Sequence, residues 1–171
     1  MTLAEVILGI VTLQRAGELV ISNYNTHGLK ARGAVELAPR HYPLIVAVHA
    51  AWLTSLWVLG RDQPVNVVPL GGYLVLQGFR FWVMWTLGSR WTTRIIVLPG
   101  QPLVSAGPYR FLLHPNYAVV AGEIMLLPMV LGFPLLAAVF TVLNAAVLAI
   151  RIKAENRALA AFRKATMRDA P

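Results

Sequence analysis

The chain has 171 residues, of which 57% are hydrophobic and only 13% are charged, and its formal net charge is +8. The charged share is about half of what soluble domains carry, which argues against an ordinary soluble domain and for an integral membrane protein. Because the sequence has no cysteine, disulfides, thiolate metal sites and cysteine nucleophiles are excluded.

Five apolar segments approach the ~20 residues that a membrane-spanning helix needs. They cover about residues 3–22, 43–59, 70–87, 117–131 and 134–152. Only Gly132 and Phe133 join the last two, which predicts a tight antiparallel helical hairpin. Since no repeat or linker interrupts the chain, we predict a single domain over residues 1–171. The fold class is all-α integral membrane, with five transmembrane helices.

The first segment differs from a cleavable signal peptide. It carries Arg15 and Glu18, and no basic residue precedes it, whereas a signal peptide has basic residues before an uncharged apolar core. We therefore expect this segment to remain in the mature protein.

Basic residues concentrate in three regions: between the first and second segments, between the third and fourth, and at or after the end of the fifth. They are Lys30, Arg32, Arg40, Arg90, Arg94, Arg110, Arg151, Lys153, Arg157, Arg163, Lys164 and Arg168. With five crossings all three regions lie on one side, which the positive-inside rule makes cytoplasmic. We expect a protein of the bacterial inner membrane with its N-terminus outside and its C-terminus in the cytoplasm. The positive charge then forms a belt near anionic lipid head groups, and no nucleic-acid partner is expected.

The segment between the third and fourth helices is predicted to be an extended cytoplasmic cap. Its β-branched residues 95–97 and its Pro-Gly and Gly-Pro turns are typical of a short hairpin. Pro115 can open the fourth helix, whose N-terminal N–H groups suit a carboxylate or phosphate. Tyr109, Arg110, His114, Asn116 and Tyr117 form a candidate binding rim there. After the fifth segment, an amphipathic tail helix is expected over about residues 153–166.

Charged residues inside apolar segments cost several kcal/mol at the bilayer centre unless they find partners. Arg15, Glu18 and Glu123 are interpreted as contacts between helices. Arg80 leaves two alternatives open, a similar contact or a place in a ligand site, because Trp82, Trp85 and Trp91 lie near it in the sequence.

The stretch LVSAGPYRFLLHPNYAVVAGE followed by RIKAENRALAAF resembles the isoprenylcysteine carboxyl methyltransferase family of integral membrane enzymes. Upstream, FRFWVMWTLGSRWTTRI is similar to another segment of that family, so the resemblance covers about residues 77–162. The first half looks like small bacterial members thought to O-methylate alkylpyrones or related long-chain phenolic polyketides. Asn156 stands where many relatives have a second Glu, which departs from the pattern and argues against a role for paired carboxylates.

The resemblance implies an S-adenosylmethionine-dependent methyltransferase without a Rossmann domain, releasing S-adenosylhomocysteine and using no metal. The cofactor-binding residues it implies are Tyr109, His114, Asn116, Tyr117, Glu155 and Asn156. Arg151 is assigned to the acceptor oxygen, and Arg80 to the path of the acceptor. The acceptor is expected to be a lipid-like molecule methylated on a carboxylate or an acidic enol or phenol oxygen. A phospholipid N-methyltransferase and a non-enzymatic membrane carrier or assembly protein are the alternatives, and the oligomeric state stays open.

Overall fold

The structure, a computed structural model, describes residues 1–37, 39, 42–102 and 104–168. Its five α-helices are α1 (Leu3–Ala31), α2 (Tyr42–Gly60), α3 (Val67–Leu87), α4 (Pro115–Val130) and α5 (Pro134–Arg168). Two short strands, β1 (Val35–Glu36) and β2 (Ile96–Val97), complete the regular structure of this part of the chain together with short 3-10 turns. Arg40 and the side chains beyond residue 160, including Phe162 of the predicted amphipathic tail, lie outside the described residues.

The predicted helical architecture is confirmed, whereas the number of membrane crossings stays a prediction. Within the described ranges, three stretches are long and apolar enough to cross a membrane: Tyr42–Gly60, Val67–Arg90 and Pro134–Arg157. Helix α4 is apolar but has only 16 residues. Helix α1 has 29 residues, and Gln14, Arg15 and Glu18 interrupt its apolar character. The composition and these three helices identify an integral membrane protein.

Two helices extend beyond their predicted ends. Helix α1 was expected to end near residue 22 but continues to Ala31, where Gly33 adopts a φ of 85° and its N–H donates to the Lys30 carbonyl oxygen. The predicted separate tail helix is instead a continuation of α5, which runs unbroken to Arg168 because no proline or glycine follows Pro134 within it. Both extensions contain polar residues, so the lengths of the apolar segments do not show where these two helices end.

The extended segment before α4 pairs with a distant part of the chain. β2 lies antiparallel to β1, with Val35 opposite Val97 and Glu36 opposite Ile96. Two of the three β-branched residues, Ile96 and Val97, therefore form a strand, but its partner is the connection between α1 and α2 instead of a neighbouring hairpin arm. This ladder ties the two connections together. Their cytoplasmic location stays a prediction.

The core lies among α1, α2, α3, α4 and the start of α5. Trp52, Leu56, Ile124 and Leu127 are among its fully buried members. Helix α4 packs on both α3 and α5, and the α4–α5 turn closes through Gly132, which has a φ of 80°. The tight hairpin expected from residues 132 and 133 is present. It returns the chain so that the beginning of α4 and the later turns of α5 lie side by side.

Candidate functional site

A cavity of about 560 Å³ lies where residues 90–98, the start of α4 and the later turns of α5 meet. Polar and apolar side chains share its walls, and we call it the polar cavity because it is much more polar than the second cavity described below. The walls of the polar cavity contain Arg151 and all the predicted cofactor-binding residues, namely Tyr109, His114, Asn116, Tyr117, Glu155 and Asn156. Arg80, and Arg110 of the candidate binding rim, are not among its lining residues. The site residues in its walls come from three separate parts of the chain, and the hairpin brings them together. The volume lies within the usual range of small-molecule sites, roughly 300–1,000 Å³.

Tyr117 connects Arg151 and Glu155 through its hydroxyl. It donates to Glu155 Oε2 at 2.6 Å and accepts from Arg151 Nε at 2.7 Å. Arg151 Nη2 donates to the Thr93 carbonyl oxygen at 2.8 Å. Arg151 and Glu155 are four residues apart on α5, so they share one helix face. Arg151 is buried, and these contacts hold two of its three side-chain nitrogens in place.

The start of α4 is shaped by stacked rings. The His114 ring lies on the Tyr117 ring, with centroids 5.1 Å apart and planes inclined by 15°. His114 occupies the N-cap position, and its side chain makes no capping hydrogen bond. The imidazole therefore faces the cavity without a capping role, as a candidate ligand contact.

Tyr109 enters the cavity from a short 3-10 helix, Gly107–Arg110. Burial raises the pKa of Tyr109 to about 12, and the neighbouring Glu155 carboxylate adds to the effect. The phenol therefore stays protonated at neutral pH and can both donate and accept a hydrogen bond.

Two buried polar atoms in the cavity walls have no hydrogen-bond partner among the described residues: Asn116 Oδ1 and Trp91 Nε1. Leaving such a group unpaired costs about 1–3 kcal/mol, so each is a candidate ligand contact. S-adenosylmethionine carries an ammonium, a carboxylate and ribose hydroxyls. Asn116 Oδ1 and Glu155 can accept from its donors, and Trp91 Nε1 can donate to its oxygens. The residues present thus fit the cofactor that the sequence resemblance implies.

A second cavity, of about 360 Å³, extends between α1, α2, α4 and α5, and its walls are mainly apolar. Ile45, Val46, Leu53, Val120 and Leu148 are among its lining residues. Four residues, Trp91, Asn116, Tyr117 and Arg151, belong to the walls of both cavities. The Tyr117–Arg151 contact therefore lies between a polar space and an apolar one.

Arg80 lines this apolar cavity and is part of a buried cluster of four charges. Its Nε and Nη2 donate to Glu18 at 2.5 Å, and its Nη1 donates to Glu123 at 2.7 Å. Arg15 pairs with the same two carboxylates, at 3.0 Å and 2.9 Å. The charges balance, and they join α1, α3 and α4, as expected for contacts between helices. All three nitrogens of Arg80 are engaged, and its role toward an acceptor stays a prediction.

Sequence reasoning assigned no role to Thr93 or His49. The Thr93 carbonyl holds Arg151, while its hydroxyl contacts Ser22 Oγ at 2.8 Å and Tyr42 Oη at 3.1 Å. His49 lines the apolar cavity from α2. No local motif marks either residue, because the contacts of Thr93 and the cavity beside His49 are formed by helices distant in the sequence.

Comparison with known proteins identifies the family to which this chain belongs. The model of the isoprenylcysteine carboxyl methyltransferase (ICMT) family matches residues 67–161. An uncharacterized protein of Bacillus subtilis, YpbQ, is 37% identical over 158 residues, which cover 90% of this chain and 94% of the relative. An uncharacterized protein of Haemophilus influenzae is 24% identical over 147 residues, or 82% of this chain and 86% of the relative. No solved structure matches.

The matched region contains β2, the HPNY start of α4 and the Arg151–Glu155 turn of α5, so it includes most of the polar cavity. The resemblance of residues 77–162 to this family is thereby confirmed, whereas the likeness of the first half to one group of its members stays a prediction. This protein belongs to the isoprenylcysteine carboxyl methyltransferase family of membrane methyltransferases.

Proposed function

We propose that this protein is an S-adenosylmethionine-dependent O-methyltransferase that acts on a lipid-like acceptor at the cytoplasmic face of the bacterial inner membrane. The observation that carries this proposal is the meeting of a polar and an apolar cavity at Tyr117 and Arg151. A methyltransferase for lipids needs such an arrangement, because its two substrates differ in polarity and must meet at one point.

The polar cavity is the proposed cofactor site. When bound there, S-adenosylmethionine supplies an electrophilic sulfonium methyl group. His114 and the backbone N–H of Asn116 at the start of α4 suit the methionyl carboxylate, since Pro115 has no N–H and those of Tyr117 and Ala118 donate to the His114 carbonyl oxygen. The Glu155 carboxylate suits the amino group or a ribose hydroxyl of the cofactor, and the hydrogen bond from Tyr117 fixes the orientation of Glu155. Tyr109 and Asn156 provide further polar contacts in the wall.

Arg151 is the proposed contact for the acceptor oxygen. Its Nε and Nη2 are held by Tyr117 and Thr93. Nη1 makes no hydrogen bond to the described residues, so it is free to donate to a ligand oxygen. A guanidinium stabilises a carboxylate, enolate or phenolate in the ionised form. An acceptor that is already acidic then needs no strong general base, and positioning of its oxygen against the methyl donor supplies most of the acceleration.

The apolar cavity is the proposed site for the adjoining part of the acceptor. Two of the helices that line it, α2 and α5, contain candidate membrane spans, so the hydrocarbon tail can remain in lipid while the oxygen reaches Arg151. The excess of basic residues at the α1–α2 connection, in the α3–α4 connection and at the end of α5 supports a cytoplasmic position for this reaction.

The test is transfer of a labelled methyl group. Purified protein is incubated with labelled S-adenosylmethionine and a bacterial membrane lipid extract, and mass spectrometry then identifies the linkage in the product. A methyl ester or methyl ether is the expected result. A methylamine product would instead support an N-methyltransferase, and no transfer to any lipid would contradict the enzymatic proposal.

A further inference from the structure

Three adjacent apolar residues lie exposed in the segment that leads into α4, and we call them the apolar triplet. Phe111, Leu112 and Leu113 are 76%, 43% and 90% exposed. Tyr109 precedes the triplet and His114 follows it, and both line the polar cavity. Because a contiguous exposed apolar patch marks a contact with a membrane or with another molecule, the triplet is a candidate contact surface at the edge of that cavity.

The contact of this segment with α3 sets its depth in the membrane. At Gly107 the chain approaches α3 so closely that a Cβ would lie 2.5 Å from Thr86 Oγ1 and 3.3 Å from Trp82 Nε1. Thr86 and Trp82 belong to the candidate membrane span Val67–Arg90. Trp82 is 43% exposed, and tryptophans near the end of a membrane-spanning helix concentrate at the interface between membrane and water. The turn that begins at Gly107 therefore lies at the level of that interface.

The triplet directly follows this turn. The N–H groups of Phe111 and Leu112 donate to the Pro108 carbonyl oxygen at 3.2 Å and 3.1 Å, so the chain stays folded back on the turn. Helix α4, which begins after His114, has 16 residues and a length of about 24 Å. Since a hydrocarbon core is ~30 Å thick, α4 alone is too short to cross it. The triplet supplies further apolar side chains at the beginning of this short helix.

The charge of the surrounding segment matches a bilayer surface. Residues 88–114 contain Arg90, Arg94 and Arg110 and no Asp or Glu. Arg110 is exposed and directly precedes the triplet. A basic residue beside exposed apolar side chains is typical of segments that lie in the interface of a membrane with anionic lipids. The bilayer is therefore the occupant that this surface fits.

We infer that the apolar triplet is an interfacial anchor, in which Phe111, Leu112 and Leu113 enter the boundary between lipid head groups and acyl chains. The bilayer then supports the segment that carries Tyr109 and His114, and the edge of the polar cavity lies at the membrane surface. The inference needs the membrane location of the protein and not its methyl-transfer activity, so it is tested independently of the proposed function.

The depth of nitroxide spin labels tests the anchor in vesicles of phosphatidylethanolamine and phosphatidylglycerol. The chain has no cysteine, so Phe111→Cys and Leu113→Cys each create a single labelling site. Collisions with oxygen, which concentrates in lipid, and with a nickel chelate, which stays in water, report the depth of each label. Gln101→Cys, at an exposed polar position of the same connection, is the control in water. Val142→Cys, at a 69% exposed position of α5, is the control in lipid.

Both triplet labels should lie roughly 5–10 Å into the boundary between head groups and acyl chains, deeper than the Gln101 label and less deep than the Val142 label. A depth equal to that of either control, at either triplet position, would overturn the inference. Spin–spin broadening that disappears on dilution with unlabelled protein would also overturn it, because a second copy of the chain would then cover the triplet. Unchanged melting temperatures in detergent show that the variants fold, and either triplet position decides the matter if the other variant does not fold.

Discussion

Replacing Tyr117 with phenylalanine removes the hydroxyl that connects Arg151 to Glu155 and little else. The ring can still stack on His114, where the centroids are 5.1 Å apart. Two hydrogen bonds to charged groups are lost, at 2.6 Å and 2.7 Å. Each such bond contributes about 1.5–3 kcal/mol. Because Arg151 keeps its 2.8 Å contact with the Thr93 carbonyl, we expect a net loss below the sum of the two.

The expected loss for Tyr117→Phe is therefore about 2–3 kcal/mol of transition-state stabilisation, or roughly 30- to 150-fold in kcat/KM. The assay is the initial rate of labelled methyl transfer at subsaturating acceptor. Tyr24→Phe is the matched control, because Tyr24 is 80% exposed, and it should leave the rate unchanged. A Tyr117→Phe rate within threefold of the wild type would show that the hydroxyl positions neither Arg151 nor Glu155, and the proposed site would lose its central contact.

Four further predictions concern the charges of the protein. Arg80→Leu leaves Glu18 and Glu123 with Arg15 alone and should destabilise the protein by about 3–5 kcal/mol. The Glu18→Leu/Arg80→Leu double variant keeps the balanced pair of Arg15 and Glu123, so in detergent it should unfold at a higher temperature than Arg80→Leu. A double variant less stable than Arg80→Leu would contradict this. Arg151→Lys should lower turnover while S-adenosylhomocysteine affinity stays within about threefold, ~0.7 kcal/mol, and normal turnover would reject the assignment. The hydrogen bond from Lys30, at 2.6 Å, together with Arg94, lowers the pKa of Glu36. The ionised Glu36 therefore stabilises the fold fully above the ordinary carboxyl pKa, and this stabilisation is lost as pH falls through the lowered pKa. The difference in melting temperature between wild type and Glu36→Gln should consequently shrink below about pH 4, and an increase there would contradict the prediction. A reporter fused after Pro171 should be active only as a cytoplasmic reporter, and periplasmic activity would contradict the proposed orientation.

The fold was predictable where the apolar pattern alone decides the structure. Helices α2, α3 and α5 and the α4–α5 turn follow from long apolar segments and from Gly132. The second half of α1 was not predictable in this way. Ser22 and Asn25 are polar, yet they are buried because Ser22 contacts Thr93 and Asn25 Nδ2 donates to the Trp91 carbonyl at 2.8 Å. Such polar contacts with distant parts of the chain stabilise α1 beyond the end of its apolar segment.

The candidate site divides in the same manner. His114 with Tyr117, and Arg151 with Glu155, stand at helical spacings and in a recognisable pattern, so the sequence identified them and the hairpin explains why they meet. Thr93 acts through its backbone carbonyl, which no side-chain pattern reveals. His49 lies in an ordinary apolar helix, and its position in the cavity wall depends on how α1, α4 and α5 pack around it. For Arg80 the sequence allowed either a contact between helices or a place in a ligand site, and the structure shows it paired with two carboxylates from α1 and α4.

The central claim is that the polar cavity binds the methyl donor, and calorimetric titration with S-adenosylhomocysteine tests it most directly. The wild type should bind one equivalent, and His114→Ala and Glu155→Gln should each weaken binding by about 1–3 kcal/mol, since each removes a charge-assisted contact on one side of the hairpin. Leu53→Ala, in the apolar cavity, should leave the affinity unchanged. Undiminished affinity in both polar variants, or a loss confined to Leu53→Ala, would contradict the assignment of the two cavities.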